Sequence, residues 1–215
     1  MKKTRALSLI ISIVAFVAFA IWTVLVSFTD VQAIGPLSSS VGFATLNGYF
    51  HNLIGVNFTL YSITDLLSII PIGMALGFAI LGIIQWIKRK KLSKVDFSLF
   101  VLGGFYVAVL ATYGAFEVFE INTRPVLIEG VLEASYPSST TMLALCIIPT
   151  AAMQLHGRIK NNAIRIAVIA ILIAFTAFMV IGRIISGVHW ITDIIGGALI
   201  STGWVSLYYA ITAKP

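Results

Sequence analysis

The chain has 215 residues, of which 59% are hydrophobic and only 10% charged, and its mean hydropathy is +1.02. Soluble domains carry about a quarter charged residues, so this composition excludes an ordinary soluble protein and indicates an integral membrane protein. The formal charge of +6 is not accompanied by an aromatic-basic patch, so we expect no nucleic-acid partner. The single cysteine, Cys146, lies in an apolar run and excludes an internal disulfide or a cysteine metal cluster.

Six apolar segments follow one another along the chain. They span residues 7–27, 66–87, 97–116, 138–155, 164–182 and 191–211. Each approaches the ~20 residues that a helix needs to cross the hydrocarbon of a bilayer. The first is longer than the apolar region of a cleaved signal peptide, so we expect it to remain as a helix. The sequence therefore predicts an all-α fold, with residues 1–215 forming one integral membrane six-helix bundle.

The basic residues indicate how this bundle is oriented. Twelve of the fourteen fall on one side of a six-span arrangement: Lys2, Lys3, Arg5, Lys88, Arg89, Lys90, Lys91, Lys94, Arg158, Lys160, Arg165 and Lys214. Cytoplasmic loops of membrane proteins are enriched in lysine and arginine, so both termini are predicted to be cytoplasmic. The two remaining basic residues, Arg124 and Arg183, then lie on the outer side, where topology gives no reason for them.

A long outer segment, about residues 29–64, separates the first two spans. A structureless loop of this length is uncommon in a compact protein. Phe43, Leu46, Phe50 and Leu53 recur at helical spacing, which predicts a short amphipathic helix at the membrane interface. His51 belongs to this helix, and we interpret it as an interfacial side chain rather than a catalytic one.

Three polar side chains stand close together in "GRIISGVHWITDIIGG", residues 182–197. His189 and Asp193 are four residues apart, which predicts that they share one face at the start of the sixth helix. A carboxylate there can orient an imidazole, and the guanidinium of Arg183 suits phosphate oxygens. This combination favours phosphoryl transfer through a histidine nucleophile. From spacing alone, a structural ion pair that caps two helix ends explains the pattern equally well.

The same residues resemble the third signature of the type 2 phosphatidic acid phosphatase family, Ser-Arg-x5-His-x3-Asp. Arg183, His189 and Asp193 match it, and Gly182 stands where serine is usual. "YPSSTT" at 136–141 is similar to the second signature, Pro-Ser-Gly-His, and "RP" at 124–125 is similar to the end of the first, Lys-x6-Arg-Pro. The resemblance covers about residues 60–210, which would form the phosphatase-like core.

The resemblance implies a site and a mechanism. Phosphate would be bound by Arg124, Arg183, Ser138, Ser139 and Thr140, the last three with the help of backbone amides at a helix N-terminus. His189 would attack phosphorus to form a phosphohistidine that water hydrolyses, and Asp193 would orient His189. The family needs no metal or other cofactor for this chemistry, so none is expected here.

Two positions depart from the family pattern. Glu117 stands at the first-signature lysine, and Thr140 stands at the histidine that serves the family as general acid. A threonine hydroxyl cannot release a proton at neutral pH. The outer carboxylates Glu117, Glu120, Glu129 and Glu133 are candidates for a replacement acid, although solvated loop charges are the simpler interpretation. Tyr136 and Trp190 are expected to be interfacial anchors, and His156 a residue of a cytoplasmic loop.

Two functions are consistent with these features. The first is an enzyme that removes phosphate from lipid phosphates or diphosphates at the outer face of the cell membrane, with an undecaprenyl-type diphosphate as the leading candidate substrate. The second is a non-catalytic binder of lipid phosphate. Retention of both the histidine and the aspartate favours the enzyme, because a binder needs only the arginines. The expected partners are phosphorylated and membrane lipids, and the sequence gives no oligomeric state.

Overall fold

A computed structural model describes residues 2–213, with Lys2 described for its backbone only. This part of the chain forms α1 (Lys2–Phe28), α2 (Ala44–Ile54), α3 (Phe58–Leu67), α4 (Ile69–Arg89), α5 (Phe97–Val118), α6 (Ser139–Arg158), α7 (Asn162–Ser186) and α8 (Ile191–Thr212). Its only β-structure is a few isolated bridges, so the all-α prediction is confirmed for these residues. Lys214 and the side chain of Lys2, both assigned to the cytoplasmic side, lie outside the described residues.

Among the described residues, five helical stretches are long and apolar enough to cross a membrane, and they make this a multi-pass membrane protein. They are Lys3–Phe28, Phe58–Arg89, Phe97–Val118, Asn162–Ser186 and Ile191–Thr212. The remaining predicted segment, residues 138–155, forms α6, a 20-residue helix that carries more polar residues. It packs against α4, α5, α7 and α8, and half of its residues are buried. A helix shielded from lipid by its neighbours does not need a fully apolar surface, which explains its weaker signal.

The segment between the first two predicted spans holds more helix than the sequence predicted. The expected amphipathic helix is present as α2, but α3 begins at Phe58, inside the predicted loop of residues 29–64. The side chain of Asn57 caps α3 by accepting a hydrogen bond from the amide of Leu60 at 2.9 Å. Thr64 of α3 packs against Gly182 of α7, where a Cβ atom would lie 2.7 Å from the Thr64 methyl group. α3 is therefore held against the end of α7.

The loop between α5 and α6 folds back on itself as a hairpin. The amide of Arg124 donates to the carbonyl of Glu133 at 3.0 Å, and the amide of Ser135 donates to the carbonyl of Asn122 at 2.9 Å. At its tip Glu129 and Gly130 both have positive φ, at 51° and 81°. This two-residue turn reverses the chain, and the hairpin brings Arg124 over the ends of the helices.

The two ends of the bundle differ in composition. At one end Arg89 and Arg158 both approach the carboxylate of Asp96, at 2.9 and 3.7 Å. The loop after α4 and the C-terminal turn of α6 therefore lie together. The start of α6, the end of α7 and the start of α8 meet at the opposite end, and this is where the hairpin lies.

Candidate active site

A sharp turn between α7 and α8 places the polar side chains of the third signature. Gly187 has a φ of +64°, and a Cβ atom there would lie 1.9 Å from the carbonyl oxygen of Gly55. Only glycine satisfies both the left-handed backbone and this close approach. The turn brings Arg183, in the last turn of α7, close to His189, which precedes α8.

His189 is buried and contacts the hairpin. Its Nε2 lies 3.3 Å from Nη1 of Arg124. Arginine nitrogens can only donate hydrogen bonds, so Nε2 must be the acceptor and the ring proton must lie on Nδ1. The nitrogen that faces Arg124 therefore carries the lone pair that a nucleophile needs.

Asp193 lies on the other side of the same ring. Its Oδ2 is 3.6 Å from Nδ1 of His189, which is an electrostatic contact and longer than a hydrogen bond. The same oxygen accepts the amide N–H of Trp190 at 2.9 Å and so caps α8. The expectation that both residues lie on the sixth helix is wrong, since α8 begins at Ile191. Asp193 thus both caps α8 and faces the histidine, so its geometry is consistent with either alternative that the sequence left open.

The surroundings of His189 hold its imidazole in the neutral form. Burial lowers the pKa of His189 well below its ordinary value, and the positive charges of Arg124 and Arg183 lower it further. A cation is disfavoured in this position both because it loses its hydration and because two guanidinium groups repel it. At neutral pH the ring is therefore unprotonated on Nε2.

Arg183 is almost completely enclosed, with a side chain that is 1% exposed. Its Nη2 donates to Oδ1 of Asp65 at 2.8 Å and to Oγ1 of Thr140 at 2.5 Å. Its Nε and Nη1 have no hydrogen-bond partner among residues 2–213. Buried donors on a charged group are costly to leave unpaired, so this guanidinium is suited to a further anionic ligand.

Arg124 is the second guanidinium of the site. Its Nε lies 2.9 Å from a carboxylate oxygen of Glu133, across the hairpin. The ring of Tyr61 lies beside both arginines, with its centroid 5.8 Å from the guanidinium carbon of Arg124 and 4.8 Å from that of Arg183. The aromatic face attracts both cations and offsets part of their mutual repulsion.

The start of α6 contributes a helix N-terminus to the site. The hydroxyl oxygen of Ser138 accepts the amide of Thr141 at 3.4 Å, and the amide of Ser138 donates to the carbonyl of Asp193 at 3.1 Å. Ser138 is thus largely engaged within the protein. Ser139 and Thr140 occupy the first turn, whose amides have no intrahelical acceptor, and Thr140 contacts Arg183 directly.

Two expectations about aromatic residues are wrong. Tyr136 and Trp190 were predicted at the membrane interface, but each is only 2% exposed. The hydroxyl of Tyr136 is 2.8 Å from Oγ1 of Thr23, and the indole of Trp190 donates to the carbonyl of Thr123 at 2.7 Å. Each polar group has a partner inside the protein, which allows the whole side chain to be buried. The Trp190 bond also ties the segment that carries Arg124 to the segment that carries His189.

The remaining candidates take minor places. Glu117, at the first-signature lysine position, is exposed at the end of α5. Among Glu117, Glu120, Glu129 and Glu133, the last is the one with an ion pair in the described part of the chain. His51 is half-buried and packs on the ring of Trp190, with 5.4 Å between ring centroids.

Within residues 2–213, no three His, Cys, Asp or Glu side chains are grouped closely enough to hold a metal ion.

Tyr61 and Asp65 are the site residues that the sequence did not predict. They lie four residues apart on α3, so they face the same side of that helix. The sequence does contain a signal for the helix itself, because Asn57 is a typical N-cap residue and the residues after it have helical spacing. Beside them an open cleft of about 410 Å³ separates α3 from the hairpin tip, with Phe58 and Ile128 on opposite walls.

Comparison with known proteins identifies the family and the fold. The profile of the PAP2 superfamily matches residues 101–215, which include Arg124, Thr140, Arg183, His189 and Asp193. No curated protein sequence matches the chain. Among solved structures, a transmembrane PAP2-type phosphatidylglycerolphosphate phosphatase from Bacillus subtilis is similar in fold, with a TM-score of 0.61, 17% identity and coverage of 93% of each chain. The matched profile spans more than half of the sequence, and the chain belongs to the PAP2 superfamily.

Proposed function

We propose that this protein is a phosphatase of lipid phosphates or diphosphates that works through a phosphohistidine. The observation that carries the proposal is the buried guanidinium of Arg183, two of whose nitrogens lack a partner among the described residues. It lies beside Thr140 at the N-terminus of α6, and helix N-termini favour anions. Membership of the PAP2 superfamily supports phosphate as that anion.

The reaction follows from the orientation of His189. Its Nε2 lone pair attacks phosphorus, the bond from phosphorus to the leaving oxygen breaks, and a phosphohistidine forms. Asp193, 3.6 Å from Nδ1, stabilises the positive charge that develops on the ring. Water then attacks phosphorus, the P–N bond breaks and inorganic phosphate is released. Arg124 and Arg183 neutralise the phosphoryl oxygens in both steps.

The leaving group decides which lipid is favoured. A monophosphate must expel an alkoxide, a strong base that needs a proton, and Thr140 cannot supply one. When His189 attacks the terminal phosphorus of a diphosphate, the lipid monophosphate leaves, and its oxygen is a weak base that needs no protonation. We therefore favour a lipid diphosphate, with an undecaprenyl-type carrier lipid as the leading candidate.

The proposed orientation puts the site at the outer face of the cell membrane. The basic residues after α4 and near the end of α6 lie together at the end of the bundle opposite the site. The positive-inside rule assigns that basic end to the cytoplasm. Both termini would then be cytoplasmic, with α6 as the fourth of six spans.

A panel of lipid monophosphates and diphosphates tests the proposal with the purified protein. We expect release of inorganic phosphate, faster from diphosphates, and none from the His189→Ala variant. The alternative is a non-catalytic binder of lipid phosphate, which retains only the arginine-based affinity. Binding of these lipids without phosphate release from any of them would favour the binder.

A further inference from the structure

We propose that Asp65 is an internal counter-anion of the phosphate site, which exchanges with the phosphoryl group in each catalytic cycle. Its carboxylate pairs with Arg183, leaves when phosphate binds, and returns when inorganic phosphate departs. The inference rests on the proposed function, because it assumes that Arg183 binds the substrate phosphate. It adds a residue from α3, which lies outside the matched residues 101–215.

The contacts of a single nitrogen atom place Asp65 beside the proposed phosphate position, on the guanidinium nitrogen next to the two that lack a partner among the described residues. Nη2 of Arg183 donates both to Oδ1 of Asp65, at 2.8 Å, and to Oγ1 of Thr140, at 2.5 Å. The two oxygens are thus within two hydrogen-bond lengths of each other. Because Thr140 belongs to the first turn of α6, the carboxylate lies beside the proposed phosphate position. Two anions held that close repel each other, so phosphate and Asp65 compete for Arg183.

The unequal burial of the two partners makes exchange feasible. The side chain of Arg183 is 1% exposed, whereas that of Asp65 is 57% exposed. The arginine is enclosed and needs an anion beside it, but the aspartate can turn into water at little cost. The open cleft between α3 and the hairpin tip, which Asp65 lines, provides the space for this movement.

The ion pair is not needed to hold α3 in place. The amide of Asn57 donates to the carbonyl of Ser186 at 2.9 Å, which ties the start of α3 to the end of α7. Thr64 also packs closely on Gly182. With α3 fixed by these contacts, the carboxylate of Asp65 is available for a role in the site itself.

Binding of inorganic phosphate to the purified protein tests the exchange without relying on turnover. Calorimetric titration compares the wild type with Asp65→Asn, which keeps the shape and removes the charge. We expect Asp65→Asn to bind phosphate about tenfold tighter, since one competing charge-assisted hydrogen bond is lost. Asp65→Glu should stay near the wild-type affinity. Glu120→Gln removes an exposed charge just after the end of α5 and should also leave the affinity near wild type.

The outcomes separate this inference from the proposed function. If the wild type binds phosphate and Asp65→Asn binds it equally or more weakly, Asp65 is no competitor and the inference is overturned. If neither protein binds phosphate, the phosphate site itself is refuted, and with it the inference. If Asp65→Asn is too unstable for titration, the rise of its Tm on adding phosphate is measured in place of the phosphate affinity. We expect a larger rise than in the wild type, and an equal or smaller one overturns the inference.

Discussion

Arg124 donates a hydrogen bond to Nε2 of His189 across 3.3 Å, so a guanidinium covers the lone pair of the proposed nucleophile. Because arginine cannot accept a hydrogen bond, this contact also fixes the ring proton on Nδ1, the nitrogen that faces Asp193. A phosphoryl group that draws Arg124 onto its oxygens would uncover the lone pair. In the proposed mechanism, substrate binding and activation of the nucleophile are therefore coupled through one arginine.

The pH dependence of turnover follows from the charges around His189. Burial and the two arginines lower the pKa of His189 well below 6.5, so the ring stays neutral and nucleophilic in mildly acidic solution. We expect the fall of kcat/KM that reports His189 protonation to lie below pH 6.5. Arg124→Gln removes one positive charge and should move this fall to higher pH, while Arg124→Lys should not. A wild-type profile in which kcat/KM falls with His189 protonation at or above pH 6.5 would contradict the account.

Gly182 explains a departure from the family signature. Gly182→Ser introduces the usual serine, but its Cβ would lie 2.7 Å from the Thr64 methyl group and would push α3 away from α7. We expect loss of roughly 1–3 kcal/mol of stability, measured as a lower Tm, together with lower kcat/KM. Adding Thr64→Ala should restore both. Gly77→Ala is the matched control, because nothing lies within 4 Å of its new Cβ. A fully active and stable Gly182→Ser protein would show that this contact does not matter.

Thr140 provides a test of the leaving-group argument. General acid catalysis contributes about 10²–10⁴-fold in rate, and it helps most when the leaving group is a strong base. Thr140→His should therefore raise turnover of lipid monophosphates more than turnover of lipid diphosphates. Thr140→Ser keeps the hydroxyl that contacts Arg183 and serves as the control. Greater activity on monophosphates than on diphosphates in the unmodified protein would mean that another group already supplies the proton.

The orientation of the bundle can be tested by labelling. In a Cys146→Ala background, single cysteines replace three exposed residues, Lys91, Val131 and Lys160. A membrane-impermeant thiol reagent added to intact cells should label the hairpin variant Val131→Cys and leave the other two unlabelled until the cells are opened. Labelling of Lys91→Cys from outside would reverse the proposed topology and move the site to the cytoplasmic side.

The sequence predicted the part of the site that is local in the chain. Arg183, His189 and Asp193 lie within eleven residues, and their spacing carries a recognisable chemistry. The structure adds that His189 precedes α8 and that Gly187 makes the turn. These details depend on close approach to Gly55, a contact between distant parts of the chain that no local pattern reveals.

The contribution of α3 to the site could not be inferred from hydropathy alone. The helix forms one continuous apolar stretch with α4, so Tyr61 and Asp65 do not stand out as a separate element. Their place beside Arg183 depends on tertiary contacts, chiefly Thr64 against Gly182. Burial of Trp190 was missed for a similar reason, because its hydrogen-bond acceptor is a carbonyl 67 positions away.

The most direct test of the central claim is to trap the covalent intermediate. The purified protein is mixed with a lipid diphosphate carrying a radiolabelled terminal phosphate and quenched within a single turnover, and the labelled residue is identified by peptide mapping. The account predicts an acid-labile phosphoryl group on His189. The label should be absent in His189→Ala and should decay into inorganic phosphate in the wild type. Turnover that persists in a folded His189→Ala protein would contradict the account and leave the cluster as a structural ion network.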